Sequence, residues 1–174
     1  MDLHLEEKKV IVTGASKGIG LAIANEFAKE GASVSICARG RDSLESAREL
    51  IAGNGGNVYA DICDVSDKKN LIKYIENAVQ TLGGLNILVN NPSGFGRSDD
   101  EDGWQVGLDV DLMALVRASW TAVPFIEKSD GGAIIHTSSI SGLTSSLRTP
   151  PYGAVKAAVI QYTKTQALQL APKN

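Results

Sequence analysis

Tyr152 and Lys156 stand four residues apart, so on a helix their side chains share a face, one turn from each other. A phenol in isolation titrates near pH 10, about 3 units from neutrality. A neighbouring ammonium that stabilises the phenolate narrows that gap and makes general acid–base work feasible. Taken alone, such a pair is more often an ordinary helix-surface pair, because the spacing arises readily by chance. It does not stand alone. Ser139 lies thirteen residues before Tyr152, closing the apolar run Ala133-Ile134-Ile135-His136-Thr137-Ser138, and a hydroxyl there can orient and polarise a substrate oxygen.

The second candidate is the run Val10-Ile11-Val12-Thr13-Gly14-Ala15-Ser16-Lys17-Gly18-Ile19-Gly20. An apolar strand enters glycines at 14, 18 and 20 and passes directly into a helix. Glycine allows a sharp turn and a close approach of phosphate, while the helix start offers unpaired N–H groups and roughly half a positive charge. A P-loop is excluded, because no Gly-Lys-Ser/Thr follows. On the glycines alone, a dinucleotide pyrophosphate site and a turn used only for packing are evenly matched.

The elements that must position these groups are legible. Strand-like apolar runs recur at 9–13, 33–38, 57–61, 86–90 and 133–138, and the first four are each followed by a helix-forming stretch. Helical spacing appears in Leu21, Ala24, Phe27 and Ala28, in Leu44, Ala47 and Ile51, and in Leu71, Tyr74, Ile75, Ala78 and Leu82. It recurs in Leu108, Leu112, Leu115, Val116 and Ser119, in a helix starting around Gly103, and a last helix runs from about Tyr152 to Leu170. Short strands that are apolar throughout imply a parallel sheet covered on both faces. Glycines at 31, 53, 55, 56, 83 and 84 lie where the helices should stop. The expected fold is α/β, a doubly wound parallel sheet of Rossmann type in one domain over residues 1–174. A strand order of 3-2-1-4-5-6 needs one strand more than the sequence contains, so C-terminal strands are absent and one sheet edge is expected to be open.

Composition narrows the function classes. The chain has 174 residues, 43% of them hydrophobic, which suffices for a core. A net charge of −3, no basic stripe, and only four Tyr and three Phe argue against nucleic acid as a partner. No apolar run approaches the ~20 residues of a membrane span, and the N-terminus lacks a signal core, so the expected location is cytoplasmic. Cys37 and Cys63 each sit near the end of a strand-like run, as buried reduced thiols do.

In an open parallel sheet, ligands bind outside the carboxyl ends of the strands. Ser139, Gly14 and the pair Asn90-Asn91, which ends the fourth strand, should therefore face one crevice. With Thr13-Gly14-x-x-x-Gly18-x-Gly20, Asp64-Val65, Asn90-Asn91, Ser139 and Tyr152-x-x-x-Lys156 in this order, the chain resembles the classical short-chain dehydrogenase/reductase family over nearly its whole length. The resemblance implies an oxidoreductase that moves hydride between a nicotinamide cofactor and a carbonyl or secondary alcohol, with no metal. Tyr152 would be the general acid in reduction and the base in oxidation. Lys156 would favour the phenolate and hold the nicotinamide ribose, and Ser139 would polarise the substrate oxygen. The cofactor-binding set would be Gly14, Ser16, Lys17, Gly18, Ile19, Gly20, Arg39, Asp64, Val65, Asn90, Tyr152 and Lys156. The three-residue gap between Tyr152 and Lys156 resembles the family's ketoreductases and alcohol dehydrogenases more than its enoyl reductases. A homodimer or homotetramer through the helices near 103–128 and 152–170 is likewise implied.

Two positions depart from the family pattern. The family usually carries an asparagine seven residues beyond a tryptophan, feeding a water relay to the lysine. Here Trp104 is followed at that distance by Asp111. An aspartate can hydrogen-bond that water, yet when ionised it adds negative charge beside Lys156; the alternative is a helix-face carboxylate outside the relay. Pro92-Ser93-Gly94 stands where Ala-Gly is usual, which alters the loop over the nicotinamide.

Arg39 follows the second strand, where an NAD enzyme would carry an acidic residue for the ribose 2′-hydroxyl. An arginine there, with Lys17 inside the glycine loop and donors on Ser16 and Arg41, favours the 2′-phosphate of NADP(H). The run Asp99-Asp100-Glu101-Asp102 reads as the acidic start of a helix rather than a metal cluster. His136 reads as a strand residue packed under a helix. A reading from another class is a non-catalytic dinucleotide-binding or oligomerising protein.

Overall fold

The structure is a computed structural model that describes residues 3–173. Five strands, β1 (Lys9–Thr13), β2 (Ser33–Ala38), β3 (Asn57–Ile62), β4 (Ile87–Asn90) and β5 (Ala133–His136), form one sheet in the order β3-β2-β1-β4-β5, with every pair parallel. The order reverses at β1, whose neighbours are β2 and β4. Parallel pairing brings the carboxyl ends of all five strands to one edge, where residues 13–20, 38–39, 62–65, 90–91 and 137–139 collect.

Helices cover both faces because the strands are apolar on both. Along β1, Val10 and Val12 point to one face, against α1 (Gly18–Lys29) and α2 (Arg41–Gly53), in a core completed by Ala24, Val34, Ile36, Leu44 and Ile51. Ile11 between them points to the other face, with Leu88, Leu71, Ile75 and Ala118, against α3 (Lys68–Leu82) and α5 (Ala114–Ile126). Tyr74 is almost wholly buried in that second core, and its hydroxyl is satisfied by Ser35 Oγ at 2.7 Å. Helix α3 begins at Asp67, whose carboxylate accepts the Asn70 N–H at 2.9 Å, and stops at Gly83 in the left-handed conformation.

The long helix expected from around Gly103 starts two residues earlier, because Asp100 caps it by accepting the Gly103 N–H at 2.8 Å. It is also not a single α-helix. Helix α4 (Glu101–Val106) runs into a π-helical stretch (Gly107–Met113) and then α5. The last helix, α6 (Pro150–Leu170), begins at a proline suited to a first helical turn, so Tyr152 lies inside it rather than at its start. Helix α6 packs through Val159 and Tyr162 against Leu112 of the π stretch and Leu115 and Val116 at the start of α5. Strands β3, β4 and β5 differ by one or two residues from their sequence-based bounds. β5 is an edge strand of the described sheet, with Ile135 44% exposed.

Candidate active site

At the carboxyl end of β1, Gly14 and Gly18 have φ of +66° and +59°, which side chains other than glycine rarely adopt. No side chain caps the start of α1, and a Cβ built at Gly18 would meet nothing within 4 Å. The first turn of α1 thus presents uncapped N–H groups to open space, the geometry that suits a pyrophosphate. Gly20 serves closeness instead: a Cβ there would fall 2.5 Å from Asn91 Nδ2 and 2.5 Å from the Gly14 carbonyl oxygen. Ser16 is half-buried, Lys17 is exposed, and Ile19 is 65% exposed at the mouth of the turn.

Neighbouring strand ends add side chains around this turn. Arg39 is exposed just after β2, and Asp64 and buried Val65 follow β3. Hydrogen bonds from the Ser66 hydroxyl at 2.7 Å and the Ser66 N–H at 3.0 Å hold the Asp64 carboxyl below its ordinary range, helped by the charge of Arg39.

Asn90 and Asn91 divide their work in a way the sequence does not reveal. Asn90 is buried, and its amide pairs with His136 Nδ1 at 3.2 Å. Asn91 turns toward the glycine loop, donating to the Gly14 carbonyl at 3.0 Å and accepting from Thr137 Oγ1 at 3.2 Å. His136 packs under α6, bonding Gln166 Oε1 at 3.0 Å, and burial holds its imidazole below its ordinary pKa against the opposing pull of Gln166.

The proposed proton-transfer residues gather where β5 meets α6. Lys156 is almost wholly buried, with its Nζ 5.6 Å from the Tyr152 ring centre. The Lys156 ammonium donates to the Thr137 carbonyl at 3.0 Å and pairs with Asp111 Oδ1 at 3.1 Å. Both partners of this ion pair are buried, with side-chain exposures of 3% and 0%. The helix is pinned to the strand end a second time by Ser138 Oγ, which donates to the Lys156 carbonyl at 3.0 Å.

Ser139 precedes a short 3₁₀ turn (Ile140–Gly142), and its Oγ accepts the Ser141 N–H at 3.2 Å. That turn is docked on α6 at Gly142, where a Cβ would lie 2.7 Å from the Lys156 carbonyl carbon. Ser139, Tyr152 and Lys156 are therefore carried by backbones in direct contact.

Asp111 lies in the π stretch and bonds the loop after β4: the Ser93 hydroxyl at 2.6 Å and the Gly94 N–H at 2.8 Å. Phe95 meets the Tyr152 ring edge-on at 4.7 Å. The sequence carries no site reading for Thr137, Ser138 or Phe95, and Asn91 and Ser93 enter it only within Asn90-Asn91 and Pro92-Ser93-Gly94. The acidic run supplies helix contacts, with Asp99 accepting from the Trp104 indole at 3.0 Å and Asp100 capping. Cys37 and Cys63 are both buried and free, and burial with the neighbouring Cys63 pushes the Cys37 thiol well up. No described helix is long and apolar enough to cross a membrane.

A sequence profile described as short chain dehydrogenase matches residues 8–174. The human dehydrogenase/reductase SDR family member 4 is 34% identical over 175 residues, covering 98% of this chain and 63% of that protein. The chain thus spans a little under two thirds of the first curated relatives it matches. Among solved structures, L-sorbose reductase from Gluconobacter frateurii, complexed with NADPH and L-sorbose, superposes with a TM-score of 0.95 at 34% identity, covering 100% of this chain and 68% of that one. A 7α-hydroxysteroid dehydrogenase complexed with NADH and 7-oxo glycochenodeoxycholic acid gives a TM-score of 0.94 at 30% identity, over 99% and 69%.

Proposed function

The chain belongs to the short-chain dehydrogenase/reductase family, and from that premise we propose that it moves hydride between NADP(H) and a carbonyl or secondary-alcohol substrate. The observation that carries this reading is the buried Lys156 ammonium 5.6 Å from the Tyr152 ring, at the sheet edge where the uncapped glycine turn opens.

The pyrophosphate is assigned to the turn of Gly14, Gly18, Ile19 and Gly20 and the N-terminus of α1, and the adenine end to Asp64 and Val65. Ser16, Lys17 and Arg39 take the 2′-phosphate. Two structural relatives carry NADPH and NADH respectively; the choice in this chain therefore rests on these side chains rather than on the fold. Lys156 and Tyr152 hold the nicotinamide ribose, and Asn90, with its side-chain amide engaged by His136, faces the cofactor through the strand end it closes. When bound, the nicotinamide ring supplies or takes up the hydride.

The chain's own residues handle position and proton. In reduction, Tyr152 Oη donates a proton to the carbonyl oxygen as charge builds there, and in oxidation it accepts one from the alcohol. The Lys156 ammonium favours the phenolate that remains. Ser139 Oγ already accepts a backbone N–H; its own hydrogen is the donor aimed at the substrate oxygen. Asp111 holds Lys156 directly by its ion pair. Self-association through the helices near 103–128 and 152–170 is supported by Trp120 and Leu168, which are 63% and 79% exposed on α5 and α6.

The test is NADPH oxidation over a panel of ketones and aldehydes. Tyr152→Phe is expected to lower the rate roughly 10³-fold. Activity that survives this change removes Tyr152 as the acid–base residue, and cofactor binding with no turnover of any carbonyl overturns the reading in favour of a non-catalytic dinucleotide-binding protein.

A further inference from the structure

Asp111 receives three donors on one buried carboxylate. Its Oδ1 accepts from the Ser93 hydroxyl at 2.6 Å and faces the Lys156 ammonium at 3.1 Å, while Oδ2 accepts the Gly94 N–H at 2.8 Å. Both oxygens are committed as acceptors. A side-chain amide here would turn its NH₂ either toward the ammonium and hydroxyl or toward the Gly94 N–H, leaving donor against donor. The donor set therefore demands a carboxylate.

The loop held by that carboxylate reaches Tyr152. Phe95 donates its N–H to Ser93 Oγ at 3.2 Å, and its backbone sits at a φ of +50°, a costly conformation for an aromatic residue. Its ring, 41% exposed, contacts Tyr152 at 4.7 Å and 81°. The Arg97 guanidinium stacks 4.5 Å from the same ring. Gly94 seats the loop on the helix, since a Cβ there would lie 2.5 Å from Val106 Cγ1.

We propose that Asp111 is a positioning residue that couples two parts of the site: it holds Lys156 beside Tyr152 and seats Phe95 against Tyr152 as the wall that receives the substrate's substituent. This rests on the oxidoreductase reading above. The wall is an exposed aromatic ring, which favours an apolar or flat substituent beside the reacting carbonyl. Strain at Phe95 is sustained because the Asp111 bonds over-determine the turn before it.

The experiment compares Asp111→Asn, Phe95→Ala and the double variant in the intact protein. One readout is amide hydrogen exchange of residues 93–96 without cofactor; the other is KM and kcat for an aryl ketone and a short aliphatic ketone. Asp111→Asn is expected to speed exchange at 93–96 and to raise KM for the aryl ketone roughly tenfold more than for the aliphatic one. Phe95→Ala should show the same selectivity loss, and the double variant should be no worse than the more impaired single. Unchanged exchange in Asp111→Asn, or single effects that simply add, overturns the proposal. If Asp111→Asn does not fold, Ser93→Ala removes the bond to Asp111 and the acceptor of the Phe95 N–H while keeping the ion pair; it should raise exchange at Gly94, whose own bond to Asp111 is left in place, and no rise there overturns the coupling. Tyr152→Phe separates the two ideas. Full activity in that variant removes Tyr152 as the acid–base residue and no turnover of any carbonyl by the unaltered protein sinks the oxidoreductase reading, whereas lost activity in Tyr152→Phe with unaltered exchange in Asp111→Asn sinks only the clamp.

Discussion

The two ends of the crevice are built from different materials. Around Gly14, Gly18 and Gly20 the site is made of backbone: left-handed turns, an uncapped helix start and a close approach to Asn91, with side chains such as Lys17 and Arg39 exposed at the rim. Around Lys156 it is made of side chains, buried and bonded to three other parts of the chain: the π stretch, the segment just after β5 and, through Asp111, the loop after β4. A backbone cradle tolerates many ligand heads with the same phosphates. A wired ion pair tolerates little change in any member, because removing one partner strands a buried charge.

Breaking the backbone end needs added volume. Gly20→Val is expected to cost about 2–3 kcal/mol of stability, and to abolish nucleotide binding followed by fluorescence quenching. Its Cβ would be forced onto the Gly14 carbonyl and Asn91. Stability and binding both near those of the unaltered protein would mean that the turn does not depend on this closeness.

A rim change should be gentler and specific. Arg39→Asp replaces a cation with an anion where the 2′-phosphate is proposed to sit, and should move the ratio of kcat/KM for NADPH over NADH down roughly 10–100-fold. An unchanged ratio would remove Arg39 from cofactor choice. Thermal stability should hardly move, since Arg39 is exposed.

The smallest effect belongs to the polar network under α6. Asn90 donating to His136 Nδ1 leaves Nε2 as the donor to Gln166, an arrangement suited to neutral imidazole. Its folded pKa lies below the ordinary 6.5. The unfolded chain therefore binds the proton more readily. This contribution to stability is fully present above the unfolded value and is lost as pH falls through it toward the folded value. Urea midpoints at pH 7.5 and 5.5 should fall more for the unaltered protein than for His136→Gln. Equal drops would mean that the imidazole carries none of the pH dependence.

Much of the fold was readable because burial on both sheet faces leaves a continuous apolar signature. Val10, Ile11 and Val12 advertise a buried parallel strand, and Leu71, Tyr74, Ile75 and Ala78 advertise a helix with one packed face. The π stretch was not readable, since Leu108, Leu112 and Leu115 keep ordinary helical spacing while the hydrogen bonding shifts. A signal for the Asp111 clamp did exist. Asp111 lies three residues after Leu108 and four before Leu115, so it falls on the apolar stripe, and a carboxylate there must find a cation. Which cation it finds depends on how α6 crosses the π stretch, and local spacing does not encode that. The roles of Asn90 and Asn91 were obscured for a related reason: adjacent residues at a strand end face opposite sides, and only the neighbouring strand and loop reveal which side is the crevice.

Residue types and order alone determined that this is a parallel α/β sheet with a glycine turn at one strand end and a Tyr–Lys pair on a helix, because strand burial, turns and helix faces are local consequences of side-chain shape and polarity. The tertiary structure decided that Lys156 is held by Asp111 and the Thr137 carbonyl, that Asn91 rather than Asn90 bonds the glycine turn, and that Phe95 abuts Tyr152. Those contacts join elements far apart in the chain. They exist only once the packed sheet and helices have fixed which polar groups are buried together and must satisfy one another.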